Sequence, residues 1–274
     1  MNISVVNNRI LLTPIQEKKK AFIFYTGISF WQRFLHSETG KLFDIDMEGS
    51  YENHMKMLHK PLSKMGYDVN CAIVTNKLGN PKYKKYLSMY KAVDLDYKTD
   101  PTQAEIDNLA RYFDLKFGSG GAFGFGFPIQ GFRLLTIKDP VPEADLYIFC
   151  RCDLLLKNSI DKLNIDWDKI NYLWKEEGIY RKQELGIETP DHPKSGWSIC
   201  NRVAGNMLNV VPSRHIKKFI NNYWLEHCSM HAMLKDHDDV DKTDFHIVLG
   251  DEMYDSCTER QANPIFTHNR TEVV

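Results

Sequence analysis

The period of apolar and polar positions changes several times along the chain, and each change predicts an element. Lys20 to Ser29 (KAFIFYTGIS) is almost continuously apolar, rich in aromatics and punctuated by Gly27, the pattern of a strand buried on both faces of a parallel sheet. Ser50 to Met65 carries Met55, Leu58, Leu62 and Met65 at steps of three and four before Gly66, which predicts an amphipathic helix with a glycine stop. Tyr67 to Thr75 (YDVNCAIVT) predicts the next strand, Asn76 to Pro81 a turn, and Tyr83 to Tyr90 a second short helix. The opening is therefore β-α-β-α, the alternation of an α/β fold.

Thr102 to Phe113 reads as a helix with Thr102 as cap and Glu105 three residues on. A glycine-rich stretch from Gly118 to Gly126 follows, then a helix-like run from Ile129 to Ile137. Asp145 to Cys150 (DLYIFC) predicts a third buried strand, running into the polar triplet Arg151, Cys152 and Asp153. Beyond it the pattern is less regular. Two tryptophan-bearing segments, Ile165 to Glu177 and Arg214 to Leu234, flank a Gly/Pro/His-containing stretch from Gly186 to Gly196. With no repeat and no long linker, one domain is expected, residues 20–160 forming its ligand-binding half and 161–274 its acceptor half.

Composition narrows the function classes. The 274 residues hold 35 basic and 36 acidic side chains, a balance that does not favour nucleic acid or an acidic membrane surface. At 43% apolar residues the chain is an ordinary globular one. Neither a signal peptide nor a membrane span is read from it, and six scattered cysteines suggest reduced thiols and a cytoplasmic location.

Several motifs carry less chemistry than they first suggest. The glycines from 118 to 126 precede no Gly-Lys-Ser/Thr, and neither Gly118-x-Gly120 nor Gly124-x-Gly126 completes a dinucleotide turn. A structural or ligand-covering loop is expected there. Cys150 and Cys152, or Cys228 with His227 and His231, lack zinc-site spacing and read better as buried thiols and helix histidines. The acids between Lys235 and His246 lack the spacing of a calcium loop and read as a solvated segment.

Asp153 is informative by position. Ligands in open α/β sheets gather outside the carboxyl ends of strands. An acid there can hold a divalent ion that bridges a diphosphate, while Arg151 can pair with a phosphate in a fork geometry. The plain alternative is an Arg–Asp pair that closes a strand end. The β-α-β start, the basic Arg133 and the strand running into an acid-bearing triplet resemble the GT-A nucleotide-sugar glycosyltransferases. The stretch DLYIFCRCDLLLKNSIDKLNIDWDKINYLW is most similar to members with an Arg-x-Asp-Leu signature from large algal viruses (chloroviruses), among them β-xylosyltransferases. The usual Asp-x-Asp of that family is Arg151-x-Asp153 here.

This resemblance implies a GT-A-like single domain with a Rossmann-like, mostly parallel sheet flanked by helices. It implies a UDP-sugar donor, with UDP-xylose the best match, and a glycan acceptor hydroxyl. Thr26 and Gly27 would receive the nucleoside, Arg133 and Arg151 would face the diphosphate, and Asp153 with His268 would hold Mn²⁺ or Mg²⁺. Asp251, with Glu252 and Asp255 as rivals, would be the base of an inverting transfer. Trp167, Trp174, Trp197 and Trp224 could stack an acceptor sugar or belong to the core. A nucleotide- or sugar-binding module without turnover, and a metal-dependent hydrolase using Asp236 to His246, are the alternatives.

Overall fold

A computed structural model describes residues 2–6, 9–13, 17–35, 42–77, 79–99, 102, 104, 133, 136–138, 140, 142–173, 175–176, 208–217, 219, 245–249, 253–254 and 265–273. Among them the chain opens with a hairpin of β1 (Asn2–Val6) and β2 (Arg9–Thr13). β3 (Lys20–Gly27) is followed by a second hairpin, β4 (Phe30–Leu35) and β5 (Leu42–Asp46). A helical segment then runs through α1 (Tyr51–His54), a π-helical turn (Met55–His59) and α2 (Lys60–Lys64). β6 (Asp68–Thr75) and α3 (Tyr83–Tyr90) complete the first part. The predicted β-α-β-α order is present, with the β4–β5 hairpin as an addition that the strand-and-helix reading passed over.

The amphipathic helix forms where the three-four spacing put it, and its irregularities have local causes. Pro61 has no N–H, and its ring would crowd the carbonyl of Met57. One turn earlier the helix widens, and the Lys60 N–H reaches back to the Met55 carbonyl. Gly66 ends the segment at φ 93°, a conformation that side chains with a Cβ rarely adopt.

β7 (Leu146–Arg151) is the third buried strand, followed by β8 (Leu154–Leu156), β9 (Ile170–Tyr172), β10 (Lys175–Glu176), β11 (Leu208–Pro212), β12 (Phe245–Ile247), β13 (Met253–Tyr254), β14 (Phe266–His268) and β15 (Arg270–Glu272). The central sheet has six strands in the order β12-β9-β11-β7-β3-β6. β3 runs parallel to both β6 and β7, and β12 runs parallel to β9, whereas β11 is antiparallel to both of its neighbours. Three of its five interfaces are thus parallel, and the chain is an α/β protein with a mixed, mostly parallel sheet. Half of that sheet comes from residues beyond 160, so the second half of the chain builds the core as well as any acceptor side.

The strands bury both faces. On one face Ile23, Tyr25, Cys71, Ile73, Ile148 and Cys150 pack with Leu58, Leu62, Tyr86 and Tyr90 of the helices. On the other, Phe22, Phe24, Ala72, Val74, Phe149, Tyr172 and Val211 pack with Phe219, including stacked Phe24 and Phe149 rings 5.1 Å apart. The near-continuous apolar runs of β3, β6 and β7 follow from that double burial. A three-stranded sheet, β15-β5-β4, and the β14–β8 pair attach the last residues of the chain beside these elements.

Candidate functional site

The order of connection places a switch point at the carboxyl ends of β3 and β7. From β3 the chain crosses to β6 on one side, and it later returns to β7 on the other. Where strand order reverses, the loops diverge and leave a crevice, the usual ligand position of an open α/β sheet. Thr26 and Arg151 pair across this point, and the Cys152 N–H donates to the Thr26 carbonyl at 2.8 Å.

Arg151 and Asp153 are brought together in the fork geometry. Arg151 Nε donates to Asp153 Oδ1 and Nη2 to Asp153 Oδ2, each at 2.9 Å. The carboxylate is 3% exposed and the guanidinium 13%, so the outer edge of Arg151 is the part nearer solvent. Such a pair is short, charge-assisted and fixed in direction. The plain reading of the triplet, a pair that closes the strand end, therefore describes its geometry. The turn that holds it is tied from two sides. The Asn269 N–H donates to the Asp153 carbonyl at 2.7 Å, and His268 pairs with Leu154 in the β14–β8 ladder. On the other edge Asn53 Nδ2 donates to the Leu156 carbonyl at 2.8 Å while its Oδ1 accepts from the Leu156 N–H at 2.7 Å. His54 lies 2.8 Å from the Leu154 carbonyl through Nε2. A carbonyl only accepts, so Nε2 carries the proton and Nδ1 accepts from Tyr90 OH at 2.9 Å. Burial pushes the His54 pKa down to about 3, keeping the ring neutral.

The carboxyl ends of β3 and β6 form a buried polar knot. Gly27 adopts φ 99°. Its carbonyl accepts from Thr75 Oγ1 at 2.7 Å, and Thr75 Oγ1 in turn accepts from the Ser29 N–H at 3.0 Å. Tyr97 OH accepts from the Thr75 N–H at 2.8 Å and lies 2.9 Å from the Thr75 carbonyl. Arg133 is buried, donates through Nε to the Thr99 carbonyl at 2.6 Å and is close enough to Tyr97 and Cys152 to lower their pKa values against the larger effect of burial. Thr26, Gly27, Arg133, Arg151 and Asp153 thus gather at one edge of the sheet. Thr75, Tyr97 and Asn53 join them unforeseen. Thr75 was legible by the logic applied to Asp153, a polar residue at the end of an apolar strand, whereas Tyr97 and Asn53 carry no local signal.

Both carboxylate oxygens of Asp153 accept from Arg151, and among the described residues no three His, Cys, Asp or Glu side chains stand together. The side chain of His268, the other expected metal ligand, lies outside the described residues. Asp251, Glu252 and Asp255, the expected bases, lie outside the described residues, as do Trp174, Trp197, Trp224, the 118–126 loop, Cys228, His227 and His231. Backbone pairing of Met253 with Lys175 nonetheless puts β13, two residues past Asp251, beside β10 at the end that follows β9. Cys150 and Cys152 are buried, and burial raises both thiols well above their ordinary range.

Neither a family model nor a curated protein matches the chain. Among solved structures it is similar to WbbM, a bifunctional glycosyltransferase, at 8% identity and a TM-score of 0.35 over 86% of this chain and 40% of that one. It is also similar to mouse xyloside xylosyltransferase 1, at 10% identity and a TM-score of 0.35 over 84% of each chain. The chain spans 40% of the length of the first. No described helix is long and apolar enough to cross a membrane.

Proposed function

We propose that this protein is a glycosyltransferase that moves a sugar from a UDP-sugar donor to a glycan acceptor hydroxyl. The observation that carries the reading is the Arg151–Asp153 fork at the switch point, next to Thr26. Transfer breaks the bond between the anomeric carbon and the β-phosphate oxygen, and negative charge develops on that phosphate. Arg151 supplies a fixed cation where the charge appears. Asp153 occupies Nε and Nη2, so Nη1 is the edge on which a phosphate oxygen would sit, and the carboxylate acts by holding the guanidinium in one direction. Arg133 adds a second positive charge on the β6 side. In an inverting reaction Asp251 would remove the acceptor proton, and UDP-xylose is the donor to try first.

A thermal-shift and titration panel of UDP, UDP-xylose, other UDP-sugars and GDP-sugars, with and without Mn²⁺, tests the reading. Uridine ligands should stabilise the chain, by about 2.7 kcal/mol at 100 times Kd, and Mn²⁺ should change this little. Failure of every nucleotide diphosphate to bind overturns the proposal. The occupied carboxylate also suits a nucleotide-sugar-binding module without turnover, and sugar release from a bound donor over hours separates the two.

A further inference from the structure

Of the five tryptophans, Trp167 packs against the core of the helix-covered face, whereas Trp31 is 48% exposed on β4. Among the described residues β4 pairs only with β5, at the edge of the β15-β5-β4 sheet. Regular alternation would turn every second residue inward, yet Trp31, Gln32 and Arg33 are exposed in succession. A bulge is the cause. The register with β5 shifts between Trp31 and Phe34, Arg33 adopts φ 53°, and its N–H donates to Asp44 Oδ1 at 2.8 Å. That conformation is uncommon for a residue with a Cβ, and bulges re-aim side chains beside active sites. Among the described residues neither the Gln32 amide nor the Arg33 guanidinium has a hydrogen bond or ion pair.

The hairpin stands beside the proposed donor site. β4 begins three residues after Gly27. Asp46, at the end of β5, is tied to the Asp153 turn through one residue: Asn269 Nδ2 donates to the Asp46 carbonyl and its N–H to the Asp153 carbonyl, both at 2.7 Å. At the next level Arg270, Ile45 and Trp31 lie side by side, so the Trp31 backbone is about 10 Å from that of Arg270, at two strand spacings. The direction agrees as well. Tyr86 OH of α3 donates to Asp46 at 2.7 Å, so alternation turns Ile45, and Trp31 opposite it, away from α3. Thr26 and Arg151, two residues past Phe24 and Phe149, likewise stand on the face of the central sheet opposite the helices.

An exposed indole followed by an amide and a guanidinium suits a sugar ring. The C–H groups of one sugar face cover the electron-rich face of an aromatic ring, and the hydroxyls at its rim meet an amide that donates and accepts and a guanidinium that donates. We infer that Trp31, Gln32 and Arg33 form a subsite for a sugar unit of the acceptor glycan. The inference rests on the proposed function and extends it from the donor to the acceptor. The separation from the Asp153 turn suits a unit behind the one whose hydroxyl reacts, so the acceptor is an oligosaccharide held along the hairpin.

The test titrates the full chain, with and without UDP, with di- to tetrasaccharides of glucose, galactose, mannose and xylose, followed by calorimetry and tryptophan fluorescence. At least one saccharide should bind and shift the emission. Trp31→Ala should weaken that binding by about tenfold or more, the effect of truncating an aromatic anchor. Trp31→Phe keeps a ring and should bind within about threefold of the parent, while the emission shift disappears. UDP affinity should stay within about twofold in both variants, as for a separate site. An unchanged saccharide affinity in Trp31→Ala, an emission shift that survives in Trp31→Phe, or a chain that binds UDP and no saccharide overturns the inference and leaves the proposed function standing. Saccharide binding that depends on Trp31 in a chain that binds no UDP keeps the subsite and removes the transferase. If the parent binds neither ligand, both fail together.

Discussion

The two faces of the central sheet are made by the same strands and place their buried polar groups differently. On the helix-covered face the large polar groups are matched within the chain, the small Ser50 hydroxyl being left without a partner among the described residues: His54 bonds Leu154 and Tyr90, and Tyr25 OH lies 3.1 Å from His59 Nε2. Burial holds both imidazoles neutral, His59 at a pKa of about 4. On the opposite face Thr26 and Arg151 stand side by side at the carboxyl edge, and Asn209, two residues further in between Phe149 and Tyr172, has an amide with no partner among the described residues. The matched groups of the helix-covered face serve stability. The Arg151–Asp153 pair of the other face stands at the carboxyl ends of the strands, where ligands of open α/β sheets gather.

The largest effect should come from breaking the Arg151–Asp153 fork at the switch point. Asp153→Ala leaves the Arg151 cation unpaired and largely buried, a loss of about 3–5 kcal/mol by denaturant unfolding, and uridine-diphosphate binding should vanish with it. The double substitution Arg151→Met/Asp153→Leu removes both charges. It should recover most of that stability and none of the binding, which separates the pair's structural role from its functional one.

The helix-covered face can be probed next by pH. The folded-state pKa of His54, about 3, lies below its ordinary 6.5, so the unfolded chain binds the proton more readily. Stability from this group is complete above pH 6.5 and is lost as pH falls toward 3, by about 1.4 kcal/mol per unit within that window. His59 adds a smaller loss ending near pH 4. His54→Gln keeps a donor for the Leu154 carbonyl, and its unfolding free energy should vary less between pH 6.5 and 4.5. An unchanged slope would remove His54 from the account.

The asparagine pair sharpens the contrast further. Asn171 accepts from the Asp166 N–H and donates to the carbonyls of Asp166 and Lys169, so Asn171→Ala strands those groups and should cost about 1–3 kcal/mol. Asn209→Leu removes an amide with no partner among the described residues and should leave the unfolding midpoint unchanged or raise it. The smallest effect belongs to Tyr90→Phe, which deletes one hydrogen bond to His54. It should cost about 1 kcal/mol and leave nucleotide binding untouched, as expected of a group on the helix-covered face.

Elements with a periodic signal were legible in the sequence. The runs around Phe22, Ile73 and Ile148 became the three parallel strands, the Met55–Leu62 spacing became the helix packed on them, and Gly66 ended it at positive φ. Arg151 and Asp153 were visible as polar residues at the end of an apolar strand, and the structure shows the pair that the sequence offered as the plain alternative. β9, β11 and β12 escaped notice because strands of three to five residues leave too few positions for a period to show. Asn209 was hidden for a related reason: a polar residue within a short apolar run looks the same whether its amide is matched or not.

Local pattern alone determined the α/β class, the burial of both sheet faces and the polar triplet after β7, because each depends on side chains a few positions apart. Which carboxylate is already held by an arginine and which asparagine lacks a partner among the described residues were decided by tertiary structure. Those outcomes depend on contacts between residues distant in the chain: Asn269 with Asp153, His54 with Leu154, and Asn209 between Phe149 and Tyr172. Hydrogen bonding is short-ranged and directional, so whether a buried polar group is satisfied is settled only when the strands carrying its neighbours come together.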